Sequence, residues 1–167
     1  SLFDMDLLLV GPGGQKYVFL SDTGGLTLNA NLVLADSGSG LPSSPVNSGT
    51  YAPADNLSGD TFASPAPAPP YSSAAPVGTS TFASLFNGLS GASVNGTWQL
   101  FSKQNINLGG TVTIDSWCLT IAPTNIPVTV TTSPAGLSIV VDSVIYTSPQ
   151  TFSWVPGSTH TIGASTT

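Results

Sequence analysis

Asn95-Gly96-Thr97-Trp98-Gln99-Leu100-Phe101 and Thr111-Val112-Thr113-Ile114-Asp115-Ser116-Trp117-Cys118-Leu119-Thr120-Ile121 are two β-branched and aromatic runs joined by the loop Ser102 to Gly110. In the first, Asn95-Gly96 supplies turn chemistry, and Trp98 and Leu100 recur at period two, the pattern of a half-buried strand. In the second, Val112 and Ile114 share one parity and Trp117, Leu119 and Ile121 the other. Both sets face inward only if an extra residue is inserted near Asp115-Ser116. The pattern predicts a β-hairpin that closes a sandwich core, with a bulge in its second strand and with Trp98, Leu100, Trp117 and Leu119 as core anchors. Neither strand carries a catalytic group.

Upstream, Leu7 to Val10 is a continuous apolar run, as expected of a strand buried on both faces, and Gly11-Pro12-Gly13-Gly14 turns it into Tyr17-Val18-Phe19-Leu20. Leu26-Thr27-Leu28 and Leu32-Val33-Leu34 are further strand candidates, and Asp36-Ser37-Gly38-Ser39-Gly40 breaks the pattern. Residues 36 to about 80 are rich in Ser, Pro, Gly and Ala, with Pro65, Pro67, Pro69 and Pro70 favouring extended backbone. So long a loop within a compact domain reads as a wrapping segment, pinned by Tyr51, Phe62 and Tyr71. Phe82, Leu85 and Phe86 have helical spacing for about one turn, which reads as a plug on the sandwich. After Pro123 the pattern restarts as five short strands, in Val128-Thr131, Leu137-Val141, Val144-Tyr146, Phe152-Trp154 and Thr159-Ile162. Ser133-Pro134-Ala135-Gly136, Ser148-Pro149-Gln150 and Pro156-Gly157-Ser158 supply turns between them.

Asp4-Met5-Asp6-Leu7-Leu8-Leu9-Val10-Gly11-Pro12-Gly13-Gly14, then Asn95-Gly96-Thr97-Trp98-Gln99-Leu100, then Ser116-Trp117-Cys118-Leu119-Thr120-Ile121 resemble, in order, the P domain (Homo B type) of subtilisin-like proprotein convertases, in its bacterial branch on secreted and surface proteins. The resemblance covers about residues 3 to 122. It implies an all-β jelly-roll sandwich that assists folding, stability or interaction and has no active site of its own. Thr132-Ser133-Pro134-Ala135-Gly136-Leu137 and Trp154-Val155-Pro156-Gly157-Ser158-Thr159-His160 resemble the start of a PEGA-type surface β-module, over about residues 126 to 164. The expected organisation is a sandwich at 1–122, a linker at 123–127 and a small partial β-module at 128–167. Relative to the two families, a first strand of the sandwich and the last strands of the module are missing. The loop at Ser102 to Gly110 also lacks the several Asp residues that relatives carry there.

Composition narrows the function. Lys16 and Lys103 are the only cations among 167 residues, all eight acids are Asp, and the net charge is −6. Nucleic-acid binding, which relies on Lys and Arg to neutralise phosphate, is excluded. Ser and Thr supply about a quarter of the chain. Trypsin-type cleavage sites are nearly absent, which suits an extracellular or cell-surface life. No apolar run approaches the roughly 20 residues of a membrane helix, so no membrane insertion is expected. A single Cys excludes an intrachain disulfide, and Cys118 reads as a small strand residue.

His160 is the only histidine and the only neutral-pH base available to a Ser-His-Asp triad, but no Gly-x-Ser-x-Gly elbow accompanies it. A turn-packing role is favoured. Gly11-Pro12-Gly13-Gly14 follows a strand without opening a helix, which fits a hairpin turn better than a phosphate cradle. Asp4, Asp6 and Asp22, with carbonyls of the Asp22-Thr23-Gly24-Gly25 turn, form a hard-oxygen set suited to calcium, against the alternative of Asp residues that cap strands and turns. The leading expectation is a non-catalytic extracellular structural or interaction module of a surface or filamentous assembly, self-associating by donation of a strand between copies, with Val128 to Thr132 or Thr159 to Ala164 as donors. The alternatives are an accessory, calcium-binding P domain of a secreted subtilisin-like protease, and a carbohydrate-binding jelly roll that uses Tyr51, Tyr71 or Trp154.

Overall fold

The computed structural model describes residues 2–25, 29–105, 112–122 and 125–165. It is mostly β and divides into two compact units, Ser1–Trp117 and Cys118–Thr167. The division falls a few residues ahead of the expected linker at 123–127. The candidate strand at 26–28 lies outside the described residues.

In the first unit, β1 (Met5–Val10) and β2 (Lys16–Ser21) form the antiparallel hairpin expected from the Gly-Pro-Gly-Gly turn. The turn closes through Gly14 N–H to the Gly11 carbonyl at 3.0 Å and Gly11 N–H to the Gln15 carbonyl at 2.9 Å. β3 (Leu32–Ser39) and β4 (Gly49–Tyr51) form a separate parallel pair. β3 runs through Asp36-Ser37-Gly38, where composition suggested a break. Gly38 permits this, because a Cβ there would lie 2.1 Å from the Tyr51 backbone. β5 (Ala54–Asp55) and β6 (Ser72–Ser73) both lie parallel to β2, so the Pro-rich segment adds strand to the hairpin's outer edge. On the other side, β7 (Gln99–Gln104) pairs antiparallel with all of β1, giving the order β5-β2-β1-β7.

The continuous apolar run of β1 is explained by this central position. Leu7 and Leu9 join Tyr17, Phe19, Leu2 and Val46 in one core, while Leu8 and Val18 are fully buried on the opposite face. α1 (Phe82–Phe86) is the single turn expected from its spacing, and Phe82, Leu85 and Phe86 pack on the core. So short a helix needs its end groups satisfied. Thr81 and Ser84 form a capping box, and the Asp36 carboxylate of β3 accepts from Phe82 N–H at 2.9 Å and Ala83 N–H at 2.7 Å. Tyr51 packs on the core, and Phe62 meets Tyr71 edge-on at 5.7 Å, so all three aromatics of the wrapping segment are engaged.

The expected closing hairpin has no ladder among the described residues, and positions 106–111 of its loop and second strand lie outside them. Trp98 and Leu100 pack against the core as anchors, with Phe86 edge-on to Trp98 at 5.2 Å. Trp117 and Leu119, expected beside them, are 48% and 37% exposed. Residues 112–122 carry no strand pairing among the described residues, so no bulge arises at Asp115-Ser116. Register shifts lie instead between Leu7 and Leu8 in β1 and between Leu34 and Ser39 in β3. β7 takes the edge of β1 that β2 leaves open and so pairs the remaining backbone N–H and C=O groups of β1.

Among the described residues the second unit contains five strands, near the expected positions. β9 (Ser138–Val141) is flanked by β10 (Val144–Thr147) and β12 (Ile162–Ala164), and β8 (Ile126–Val130) pairs with β11 (Gln150–Trp154). Asp142 and Ser143, at φ 49° and 69°, make the tight β9–β10 turn. Tyr146 meets Phe152 edge-on at 5.0 Å, linking the two sheets.

Candidate functional site

At the far end of the β1–β2 hairpin from its turn, Asp6, Asp22 and Asp60 converge, with one carboxylate oxygen of each within 4.8 Å of the others. Asp6 is placed by β1 and is fully buried. Asp22 follows β2 in the left-handed region, at φ 49°, which an Asp adopts more readily than most residues. Asn56 ties the third acid's loop to this corner, its N–H donating to the Ser21 carbonyl at 3.1 Å and its side chain to the Asp22 carbonyl at 2.9 Å.

The corner is short of donors. The Ser21 hydroxyl lies 2.9 Å from Asp6 Oδ1 and 3.1 Å from Asp22 Oδ2, and its one proton serves a single carboxylate at a time. Asp6 Oδ2 has no hydrogen bond and faces only the Lys103 ammonium, at 3.7 Å. Burial, then the charges of Asp6 and Asp55, push the Asp60 pKa up to about 6, against a lowering effect of the Ser21 hydroxyl. Asp55 is buried beside this corner and is also raised, first by burial, with the Ser73 hydroxyl and Leu57 N–H opposing. Neither of its oxygens completes a well-formed hydrogen bond.

This donor set fits a hard divalent cation. Calcium binds carboxylate oxygens at about 2.3–2.6 Å, so two oxygens sharing one ion sit up to about 5 Å apart, the spacing found here. Of the three acids expected from sequence, Asp6 and Asp22 meet and Asp4 stays out of the group. Asp4 ends a 3-10 turn (Leu2–Asp4) ahead of β1, buried, with Oδ1 unpartnered. Asp60 takes the third place. Nothing local marks it, since 38 positions of chain separate it from Asp22. The Asp22 and Gly25 carbonyls proposed as extra ligands already accept from Asn56 and from Leu2 N–H.

In the second unit His160 has the neighbours a triad would need. Its Nε2 lies 2.8 Å from Ser158 Oγ and its Nδ1 2.6 Å from Asp142 Oδ2. Thr161 N–H, at 2.9 Å, holds the other Asp142 oxygen. Yet Ser158 Oγ also donates to the Val155 carbonyl at 2.7 Å, and Ser158 N–H uses the same carbonyl at 3.0 Å. The hydroxyl has one proton for either that carbonyl or Nε2, according to the imidazole tautomer, and the Ser158 N–H is already bonded within the turn. Trp154 stacks on the imidazole at 4.1 Å, so these contacts tie the turn at 155–158 to Asp142. Trp154 also stacks on Phe152 at 5.3 Å, Tyr51 bonds the Asn47 carbonyl, and Tyr71 sits between Phe62 and Lys16. Tyr71 and Trp154 thus have ring partners, and Tyr51 packs partly on the core. Among the described residues, no helix is long and apolar enough to cross a membrane.

No family model, no curated protein and no solved structure matches this chain.

Proposed function

We propose that the chain is a non-catalytic extracellular interaction module, a jelly-roll sandwich of P-domain type followed by a small β-module, that works as a subunit or segment of a surface or filamentous assembly. One observation carries this reading: β7 ends the larger sheet with β1 as its one strand partner among the described residues. A sheet edge of this kind is a template for pairing with another chain. The near absence of cations supports an extracellular setting. Sedimentation velocity over a wide concentration range tests the proposal. The expected result is association that strengthens with concentration, and a single monomer peak with full folded stability throughout would overturn it.

The Asp6, Asp22 and Asp60 corner favours a second reading, a calcium-stabilised accessory module of a secreted protease. Here the expected result is a rise in melting temperature with calcium that Asp60→Asn removes. A melting temperature indifferent to calcium would sink it.

A further inference from the structure

Asp6 and Lys103 stand directly opposite each other in the β1–β7 ladder. Their side chains therefore leave the sheet on one face, from Cβ atoms about 4.5–5.5 Å apart. Lys103 Nζ lies 3.7 Å from Asp6 Oδ2, longer than the roughly 2.7–2.9 Å of a charge-assisted hydrogen bond, and Oδ2 accepts no hydrogen bond. The Asp6 side chain is fully buried and that of Lys103 is 35% exposed. A carboxylate so buried and so poorly paired is costly, and losing its charge relieves that cost as well as pairing it would. Its other oxygen, Oδ1, is held by the Ser21 hydroxyl at 2.9 Å. An amine thus faces a carboxyl group with one oxygen held by a donor and the other free of hydrogen bonds.

We infer that Asp6 and Lys103 are the site of a self-formed amide cross-link between β1 and β7. The ammonium first passes a proton to Oδ2, leaving a neutral amine and a carboxylic acid. The Nζ lone pair then forms a bond to Cγ, while the Ser21 hydroxyl stabilises the charge that develops on Oδ1. The nitrogen gives up a second proton, which the Asp22 or Asp60 carboxylate, each with an oxygen within 4.8 Å of one of Asp6, delivers to Oδ2. The Cγ–Oδ2 bond breaks and water leaves. One ammonium and one carboxylate become one neutral amide and one water, with no oxidant, reductant or further reactant. In free solution the ions are favoured over the amide. Two groups fixed opposite each other in a sheet react as if at about 10⁵–10⁸ M, and here the product also removes a buried charge. The bond closes a loop that holds almost the whole first unit, so β1 and β7 cannot be parted by pulling on the chain. The inference is independent of the assembly reading, and a calcium ion on Asp6 would oppose the step by holding the carboxylate ionised.

Mass spectrometry of the whole chain tests this. The folded protein is incubated in chelator, so that no cation holds Asp6 ionised, and is then denatured and weighed. The expected result is a mass lower by one water than the sequence requires. Chymotryptic digestion is expected to release a branched peptide that joins the segment containing Asp6 to the segment containing Lys103, and trypsin is expected to lose its cut after Lys103. Lys103→Arg keeps the positive charge without the amine, and is expected to retain the full mass. A parent chain that keeps the full mass after prolonged incubation overturns the inference. So does a water lost equally by Lys103→Arg, because the loss then lies elsewhere, as in a cyclic imide at another Asp. Either result leaves the assembly and calcium readings standing, since sedimentation and melting in calcium decide those separately.

Discussion

Asp60 shows how one residue can link pH, stability and cation binding. Its pKa is raised to about 6, chiefly by burial and then by Asp6 and Asp55, so the folded state prefers it protonated. A carboxylate raised on folding contributes stability below its unfolded value near 4, and that contribution is lost as pH rises through about 6. In chelator the protein is therefore expected to be less stable at pH 7 than at pH 5, and Asp60→Asn is expected to flatten this dependence. Urea titrations at the two pH values check it. Protons compete for the same oxygens, so calcium affinity measured by calorimetry is expected to fall as pH drops from 7 to 5. At Tyr17 the buried hydroxyl donates to the Ser80 carbonyl at 2.9 Å. Tyr17→Phe leaves that carbonyl unpaired and is expected to cost about 0.5–1.5 kcal/mol in a denaturation series.

At the scale of the elements, β1 dominates the first unit because it is apolar on both faces and flanked by a strand on each side. Leu8 is 0% exposed. Leu8→Ala is expected to destabilise by about 2–5 kcal/mol, the range for a buried leucine whose surroundings cannot collapse into the space. An equilibrium urea curve would register it. The β11–β12 connection is held by the Ser158, His160 and Asp142 group. The Asp142 pKa is lowered, first by the hydrogen bond from His160 and then by that from Thr161 N–H. A carboxylate lowered on folding stabilises above its unfolded value, and the effect disappears as pH falls through the folded one. Asp142→Asn is thus expected to weaken the second unit at pH 7 and to make no difference at the acid extreme, as read from Trp154 fluorescence. Strand positions here were legible because turn residues punctuate them. The β1–β7 pairing was not, because the backbone edge of β1 left open by β2 can be met by any distant strand, and the two are separated by almost the whole unit.

For the whole molecule, before any Asp6–Lys103 amide forms, the scarcity of cations leaves few sites at which trypsin can act. The only sites for trypsin follow Lys16 and Lys103, and both residues lie in strands of the larger sheet. The folded protein is expected to resist trypsin for hours under conditions in which the denatured chain is cut at both sites, with any early native cleavage confined to Lys103 on the end strand. A timed digest followed by mass spectrometry checks this. On the proposed assembly reading, dilution is expected to speed that cleavage, because a paired edge strand is protected and a bare one frays.

What the amino-acid sequence determined by itself was local: a mostly β chain, the Gly-Pro-Gly-Gly hairpin, the one-turn helix and the strands of the second unit. Each follows from period, turn chemistry and composition, which act over a few residues. Only the tertiary structure decided that Asp60 and not Asp4 completes the acidic corner, that Ser158 and Asp142 meet His160, and that Trp117 and Leu119 stand exposed while Trp98 and Leu100 pack inward. Those outcomes depend on which distant segments approach one another. That approach is governed by the burial of β1 on both faces and by hydrogen bonds such as Asn56 to Asp22, which no short window of sequence contains.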